Sequence, residues 1–307
     1  MKVVVALRPS KGSNTPKKSS TFPLTLELEK DATIRDVKNA IAKKNPKYYI
    51  DRQKITSAAN LPLENATPLS ECNVVDGDTL YFKDLGPQIG WKTVFLIEYA
   101  GPLFIHPIFY YLGNYIYGST FEHSKLQSVS FFLVLFHFAK RELETLFVHR
   151  FSHGTMPFQN VFKNSFHYHV LSGVNIAFWL YGPWYGKGTE NAEVSKLFTF
   201  VCIFVFFFAE FSNLLTHITL RNLRPPGTRV RRIPYGYGFD WVSCPNYFFE
   251  TVAWVAFSVL TNSYAAWLFV LVAYGQMYLW AIKKHKNYLK EFKDYPKNRK
   301  AIIPFVV

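Results

Sequence analysis

The segment that decides the fold runs from Asn213 to Glu250 and reads NLLTHITLRNLRPPGTRVRRIPYGYGFDWVSCPNYFFE. An apolar stretch ends at Leu220, and the Pro-Pro-Gly sequence at 225–227 then prevents a helix from continuing. Guanidinium groups beside a membrane can form paired hydrogen bonds with phosphate, so one interpretation of this segment is a phosphate-binding site. The alternative interpretation is a basic cytosolic loop with aromatic residues at the membrane interface. Five arginines follow the apolar stretch within twelve residues: Arg221, Arg224, Arg229, Arg231 and Arg232.

Outward from this segment, the chain divides into a charged head and an apolar body. Its 307 residues are 49% hydrophobic and 18% aromatic, and 35 basic residues against 21 acidic ones give a net charge of +14. Because the basic residues lie mainly in the head, the loops and the tail, a membrane protein is favoured over a nucleic-acid-binding protein. The spacing of Cys72, Cys202 and Cys244 matches neither a disulfide framework nor a zinc motif, so no metal is predicted.

Residues 1–83 are predicted to form a small α/β domain. MKVVVAL and FPLTLELE have strand patterns, and Thr33 with Asp36 matches the capping box that begins a helix. DRQKIT and DGDTLYF supply two more strands. This strand-strand-helix-strand-strand order resembles ubiquitin, and DGDTLYF is its most specific part. The chain lacks the C-terminal Gly-Gly of ubiquitin at the end of this domain, so conjugation is not implied.

Residues 84–307 are predicted to form an α-helical, multi-pass membrane bundle. A spanning helix needs about 20 predominantly apolar residues. Only three residues, Thr261–Ser263, separate the last two candidate spans, which predicts a tight hairpin, with a single long broken helix as the alternative. The six candidates are 93–117, 127–148, 166–185, 196–219, 245–261 and 263–282.

The loops between these candidates predict their orientation. Segments 149–165, 221–243 and 283–300 are basic, whereas 118–126 and 186–195 are nearly neutral. The positive-inside rule then places both termini in the cytosol. The N-terminus has too short an apolar run for a cleaved signal peptide, so we expect an internal segment to direct membrane insertion.

Polar side chains gather near the cytosolic ends of the candidate spans. A charge in lipid costs at least about 2.5 kcal/mol, so this clustering indicates a shared polar cavity. As an alternative to this cavity, the long side chains of Lys140 and Lys284 could extend to the membrane surface. The side chains of Glu98 and Glu250 are too short to do so. Because no glycine-rich phosphate loop is present, side chains must hold any nucleotide. The other polar residues near these cytosolic ends are Arg141, Asn213, His217, Asn246, Tyr247, Lys283, His285 and Tyr288.

Several of these positions fall within stretches that resemble the steroid 5α-reductase superfamily. KRELETLFVHRFSHGTMP together with the ubiquitin-like head resembles more narrowly the very-long-chain trans-2-enoyl-CoA reductases of fatty-acid elongation in the endoplasmic reticulum. The resemblance extends over essentially the whole chain. It rests on HFAKRELETLFVHRFSHGTMP (137–157), LRNLRPPG (220–227), RRIP (231–234), SCPNYFFE (243–250) and HKNYLKEFKDYPKNRKAIIPF (285–305).

The resemblance implies that NADPH reduces a carbon–carbon double bond conjugated to a carbonyl. It also implies a cofactor site: Asn213, Arg224, Arg232, Asn246 and Tyr288 match cofactor contacts by motif position. His217 stands where the steroid reductases carry Asp, and Phe138 stands where they carry an active-site Tyr. Lys140, Arg141 and His285 are further cofactor candidates.

The implied chemistry needs a proton donor in addition to a hydride. Tyr247 is the predicted donor, because a phenol is protonated at neutral pH, and Glu98 is predicted to orient it. Gln88 and Glu250 are predicted to bind substrate. The expected partners are a very-long-chain enoyl-CoA, the lipid bilayer and other enzymes of the elongation cycle, with a link to sphingolipid metabolism. Alternatives are a steroid, sterol or polyprenol reductase of the same superfamily, and a non-enzymatic ubiquitin-like membrane adaptor.

Overall fold

A computed structural model of the chain describes residues 1–8, 21–151, 154–186, 195–225 and 231–306. The chain forms two compact units. The first comprises Met1–Trp91 and His153–Asn160, and the second comprises Lys92–Ser152 and Val161–Val307. Three residues of the predicted arginine-rich turn, Pro226, Gly227 and Arg229, lie outside the described residues.

The first unit contains a four-stranded sheet in the order β2-β1-β4-β3. β1 is antiparallel to β2 and parallel to β4, and β3 is antiparallel to β4. This arrangement confirms the predicted strand-strand-helix-strand-strand order. The elements are β1 (Lys2–Leu7), β2 (Leu24–Glu27), α1 (Ile34–Lys44), a 3₁₀ turn (Ile50–Arg52), β3 (Gln53–Thr56) and β4 (Thr79–Asp84).

Helix α1 begins at the predicted capping box. The Asp36 main-chain N–H donates to Thr33 Oγ1, and the Thr33 main-chain N–H donates to Asp36 Oδ2 at 2.9 Å. The apolar stripe Ile34, Val37 and Ile41 is fully buried. Burying a side chain of this size contributes about 1.5–3 kcal/mol, so this stripe anchors α1 to the sheet.

A short antiparallel ribbon completes the first unit. It pairs β5 (Gln88–Gly90) with β6 (Thr155–Pro157), with Ile89 opposite Met156. The main-chain N–H of Trp91 donates to Gly154 O at 3.1 Å, so the ribbon ends where the first long helix begins.

The second unit is helical in its described residues. Its third long helical segment changes from α to π geometry and back to α within one continuous run. The elements are α2 (Trp91–Tyr111), α3 (Gly113–Tyr117), α4 (Lys125–Phe147), α5 (Asn160–Ser165), a π-helical segment (Phe166–Asn175), α6 (Ile176–Tyr181), α7 (Pro183–Gly186), α8 (Lys196–Asn222), α9 (Pro245–Thr261) and α10 (Tyr264–Glu291).

Three of these helices, α2, α8 and α10, are long and apolar enough to cross a membrane. Helix α4 is long but carries Lys140, Arg141, Glu142 and Glu144 near its C-terminal end. Helix α9 has only 17 residues. Among the described residues, length and composition therefore support three of the predicted spans. Helix α4 differs from these three by its charged residues, and helix α9 differs by its short length.

The predicted hairpin between the last two candidate spans is confirmed. Asn262 follows α9 with a φ of 46°, a left-handed conformation that Asn tolerates better than most residues. The side chain of Ser263 then caps α10 by accepting from the Ala266 main-chain N–H at 3.4 Å. These two residues reverse the chain, so α9 and α10 are separate helices.

Helices α2, α4, α6, α8, α9 and α10 contribute buried residues to one apolar core. Phe138, Ala177, Ala209, Phe257 and Ala266 are fully buried and come from α4, α6, α8, α9 and α10 respectively. Three of the five are alanines, and small residues let helix backbones approach closely. The core therefore fixes how the polar faces of α4, α8 and α9 meet.

The C-terminal segment is attached to the loop before α9. Lys300 forms a parallel bridge with Val242, and its main-chain oxygen accepts from the Ser243 N–H at 2.8 Å. The Cys244 N–H donates to Ala301 O at 3.1 Å. These contacts hold the entry to α9 in place.

Candidate active site

The second unit contains a cleft of about 450 Å³ with a strongly basic wall. It lies where the C-terminal ends of α8 and α10 approach the N-terminal end of α9. Seven basic side chains and no carboxylates line it among the described residues. Such a cleft suits a ligand with several negative charges. The basic residues are Arg150, Arg221, Arg224, Arg231, Arg232, Lys283 and Lys284.

This basic cleft brings together several residues that were predicted from the sequence. Arg224, Arg232, Asn246, Tyr247 and Tyr288 all line it. His217, at the position that differs from the steroid reductases, lines it as well.

Arg150 organises one wall of the basic cleft. Its Nη1 donates to Arg221 O at 3.1 Å and also to Arg224 O, so it satisfies main-chain oxygens at the C-terminal end of α8. In return, Arg224 Nη1 donates to Arg150 O at 3.3 Å. Arg150 was not predicted from the sequence, although it lies inside the motif at 137–157.

The first turn of α9 supplies the wall opposite these arginines. Pro245 occupies the first helical turn, where its missing N–H costs nothing. Asn246 is 7% exposed, and its Oδ1 has no hydrogen-bond partner in the described part of the chain. A buried acceptor without a partner is costly, so this atom is suited to a donor on a bound ligand.

Tyr288 is held against the C-terminal segment. Its ring stacks on Tyr295, with centroids 5.2 Å apart and planes inclined by 10°. Burial raises the pKa of Tyr295, so its phenol stays protonated. Ser243 Oγ lies 2.6 Å from the Tyr295 hydroxyl and 2.6 Å from His285 Nδ1. His285 therefore contacts Ser243 and is not among the described residues that line the basic cleft.

Lys140 and Arg141 lie in the interior of the bundle, where each pairs with a carboxylate. Lys140 Nζ lies 2.8 Å from Glu210 Oε2 and donates to Asn213 Oδ1 at 2.7 Å. Arg141 Nη1 donates to Glu144 Oε2 at 2.5 Å. Buried cations need such partners, because unpaired charge in the interior is strongly unfavourable.

Arg141 connects this interior network to the basic cleft. Its Nη2 donates to the Tyr99 hydroxyl at 2.9 Å, and its Nη1 lies 3.2 Å from His217 Nδ1. The His217 ring packs edge-on against His149, with centroids 4.8 Å apart. Burial, and then the charge of Arg141, lower the pKa of His149, so this ring is neutral at physiological pH.

Glu144, His149 and His217 bring potential metal-ligand atoms within 4.8 Å of one another. However, the guanidinium of Arg141 already pairs with Glu144 in this place. A cation bound to the trio would lie beside that guanidinium, so we assign these residues to the ion-pair network.

Glu98, the predicted partner of Tyr247, lies on α2 and is 2% exposed. Its Oε1 has no hydrogen-bond partner among the described residues. It is not among the described residues that line the basic cleft.

Gln88, the predicted substrate residue, belongs to the first unit. Its Nε2 donates to Leu85 O at 3.0 Å, and its Oε1 accepts from the Thr155 hydroxyl at 3.3 Å. These contacts help to secure the β5–β6 ribbon.

Glu250, the other predicted substrate residue, joins the interior network. Asn213 Nδ2 donates to Glu250 Oε2 at 3.1 Å and to Asn246 O at 2.9 Å. The other acidic members of this network, Glu144 and Glu210, were not predicted from the sequence. Glu144 lies three residues after Arg141, and Glu210 lies three residues before Asn213. Residues three apart share one helical face, so this spacing was the sequence signal that could have identified both carboxylates.

Comparison with known proteins identifies the family. A family model described as 3-oxo-5-alpha-steroid 4-dehydrogenase matches residues 154–307, and one described as the TECR ubiquitin-like domain matches residues 24–84. The chain is 47% identical to a very-long-chain enoyl-CoA reductase of Dictyostelium discoideum, over 75% of this chain and 74% of that protein.

Two further relatives extend the similarity to nearly the full length. A Schizosaccharomyces pombe protein whose name refers to an enoyl reductase is 44% identical over 95% of this chain and 98% of its own. The Caenorhabditis elegans protein art-1, whose name refers to very-long-chain enoyl-CoA reductase, is 42% identical over 95% of this chain and 97% of its own. The chain therefore belongs to the very-long-chain enoyl-CoA reductase family, within the steroid 5α-reductase superfamily.

Proposed function

We propose that this protein uses NADPH to reduce very-long-chain trans-2-enoyl-CoA to saturated acyl-CoA, the last step of the fatty-acid elongation cycle. The names of relatives that match most of its length refer to very-long-chain enoyl-CoA reductase. The observation that carries the proposal is the basic cleft, because it combines seven cationic side chains with Asn246 and Tyr247.

The residues of the basic cleft fit a phosphorylated dinucleotide. Arg224 and Arg232 would hold its phosphates, since guanidinium groups form paired hydrogen bonds with phosphate oxygens. Asn246 Oδ1, which has no partner among the described residues, would receive an amide or hydroxyl donor. The surplus of positive charge favours the additional phosphate that distinguishes NADPH from NADH. Tyr288 provides an aromatic wall.

The remaining cofactor candidates would act from behind the cleft wall. Asn213 and the Lys140–Arg141 pair hold the residues that line the cleft, and His285 contacts Ser243 just before α9. In this proposal they shape the cofactor site without lining it.

The protein's own residues would supply proton transfer and charge stabilisation. When bound, NADPH supplies the hydride that adds to the β-carbon of the enoyl thioester. Negative charge then develops on the thioester oxygen, and preorganised donors and cations stabilise it. Tyr247 donates the proton to the α-carbon, and Glu98 orients the reacting groups. Gln88 and Glu250 are the proposed substrate contacts.

We place the protein in the endoplasmic reticulum membrane with six crossings and both termini in the cytosol. Support comes from the three long apolar helices and from the asymmetric distribution of basic residues. The acyl chain would lie among the helices while CoA stays at the cytosolic face. In this arrangement residues 1–83 form a docking module for other enzymes of the elongation cycle, and residues 84–307 form the reductase.

A steroid reductase is the second candidate, because the matching model over residues 154–307 is described as a 3-oxo-5-alpha-steroid 4-dehydrogenase. Such an enzyme shares the cofactor chemistry and differs in its acceptor. An enone steroid presents a double bond conjugated to a ketone, whereas the enoyl substrate presents one conjugated to a thioester.

Binding and activity assays with the purified protein distinguish these two candidate functions. We expect NADPH to bind, and we expect its oxidation with very-long-chain trans-2-enoyl-CoA to yield saturated acyl-CoA, identified by mass spectrometry. An enone steroid should give no product under the same conditions. Reduction of the steroid alone would establish the second candidate, and failure to bind NADPH would contradict both.

A further inference from the structure

Five side chains from three helices form a closed ring of polar contacts; four are buried, and Glu250 is partly exposed. Lys140 Nζ donates to Asn213 Oδ1 at 2.7 Å, and Asn213 Nδ2 donates to Glu250 Oε2 at 3.1 Å. Glu250 Oε1 lies 3.4 Å from His137 Nε2, and His137 Nδ1 lies 2.6 Å from Glu210 Oε1. Glu210 Oε2 lies 2.8 Å from Lys140 Nζ, which closes the ring.

His137 contacts a carboxylate oxygen on each side of its ring. Its Nδ1 faces Glu210 Oε1, and its Nε2 faces Glu250 Oε1. From α4, this one side chain therefore contacts both α8 and α9.

This polar ring meets the basic cleft at the first turn of α9. Asn213 Nδ2 donates not only to Glu250 but also to the main-chain oxygen of Asn246, at 2.9 Å. Glu250 is four residues after Asn246 and lies on the same helical face. The ring therefore holds α9 at two points, one of them the residue whose side-chain oxygen is open in the cleft.

Stability alone is a weak reason for such a ring. Well-packed apolar residues of similar volume often stabilise a protein interior as well as a buried ion pair does. His137 is 2% exposed, Glu210 is 1% exposed, and neither is among the residues that line the basic cleft. Their contacts lead to Glu250 and Asn213, which hold the cleft residue Asn246.

We propose that His137 and Glu210 are positioning residues for cofactor binding. They hold Glu250 and Asn213 in the geometry that presents Asn246 to bound NADPH, and they touch neither cofactor nor substrate. This inference rests on the proposed function, because it assumes that the basic cleft binds NADPH.

The test compares His137→Phe, Glu210→Gln and the double variant with the parent. We expect each single variant to raise the Kd for NADPH by about tenfold, as for the loss of one charged hydrogen bond. The KM for enoyl-CoA is expected to rise by a smaller factor than the Kd for NADPH. If both residues act through one ring, the double variant should bind NADPH no more than about threefold more weakly than the weaker single variant, because the first change has already opened the ring.

His106 provides a matched control in the same unit. It is fully buried, and its ring nitrogens lie 2.8 Å from the Tyr181 hydroxyl and 2.9 Å from Ser172 O. His106→Phe should lower the melting temperature and leave the Kd for NADPH unchanged. If His137→Phe lowers the melting temperature equally but leaves that Kd within twofold, the ring is only structural and the inference is wrong.

Two further outcomes are distinguishable. If His137→Phe does not fold, Glu210→Gln carries the test, because it keeps the side-chain volume and removes the charge. An unchanged NADPH Kd in folded Glu210→Gln would then overturn the inference. If the parent protein binds no NADPH, the proposed function fails, and this inference fails with it.

Discussion

The rings of Tyr247 on α9 and Trp280 on α10 lie with their centroids 6.3 Å apart and their planes inclined by 44°. Both residues line the basic cleft, as does Lys284, about one turn beyond Trp280 on α10. The contact therefore sets a phenol, which can donate a proton, against a wall that carries positive charge. The same wall would stabilise negative charge that develops on a substrate beside it.

If Tyr247 donates the proton, Tyr247→Phe should reduce turnover by roughly two to four orders of magnitude, the usual contribution of general acid catalysis. NADPH affinity should stay nearly constant, because only one oxygen atom is removed. Steady-state rates and a binding titration measure the two quantities. Tyr278→Phe, on the neighbouring helix α10, is the matched control and should keep parental turnover. Turnover of Tyr247→Phe within about threefold of the parent would identify it as a membrane-interface tyrosine.

Glu98→Gln should lower turnover by less than Tyr247→Phe does, because Glu98 is proposed to act through orientation. The two residues should also behave as one unit. The double variant is then expected to lose little beyond Tyr247→Phe alone. Independent, multiplicative losses in the same rate assay would show that Glu98 acts separately from Tyr247.

Arg224→Ala should weaken NADPH binding by about 1.5–3 kcal/mol, as for a hydrogen bond to a charged group. The affinity for acyl-CoA should change far less. Lys286→Ala is a suitable control, because it removes one positive charge at an exposed position of α10 that is not among the cleft residues. Equal NADPH affinities in the parent and in Arg224→Ala, measured by titration, would remove Arg224 from the cofactor site.

The distribution of basic residues predicts six crossings with both termini in the cytosol. In sealed microsomes, tags at either terminus should be digested by added protease. Glycosylation acceptor sites inserted in 118–126 or 186–195 should be modified, and sites in 149–165 should not. Protection of either terminal tag, or modification within 149–165, would contradict this topology.

The first unit should lose stability in acid through Asp84. Arg52 donates to both of its carboxylate oxygens, at 2.6 and 2.7 Å, and this hydrogen bonding lowers the pKa of Asp84. A carboxylate with a lowered folded-state pKa contributes its full stabilisation above the unfolded pKa of about 3.9, and the contribution is lost as the pH falls below that value. Pepsin cleavage of β3 and β4 should therefore increase between about pH 4 and pH 2.

Asp84→Asn provides the comparison for that experiment. The amide cannot ionise, so this variant should be cleaved at a rate that depends less on pH over the same range. Identical pH profiles for the parent and for Asp84→Asn would show that the Arg52 contact does not govern acid stability.

Local patterns were enough to predict much of the architecture. The capping box of Thr33 and Asp36 involves residues three apart, and strand alternation is read within a few positions, so the first unit was recognisable. The turn at Asn262 and Ser263 was evident, because two apolar runs are separated by three polar residues. The clustering of polar residues near the ends of the apolar runs also indicated a buried polar site.

The sequence by itself thus determined the order of elements, the family motifs and the residue types available for chemistry. Only the tertiary structure decided their partners. Lys140 was a cofactor candidate from the sequence, and in the structure its nitrogen contacts Glu210 and Asn213, about 70 positions away along the chain. Arg150 likewise contacts Arg221 and Arg224 across a similar separation. Helical periodicity predicts which residues share a face, but the rotation and axial position of one helix against another follow from side-chain packing across their whole interface.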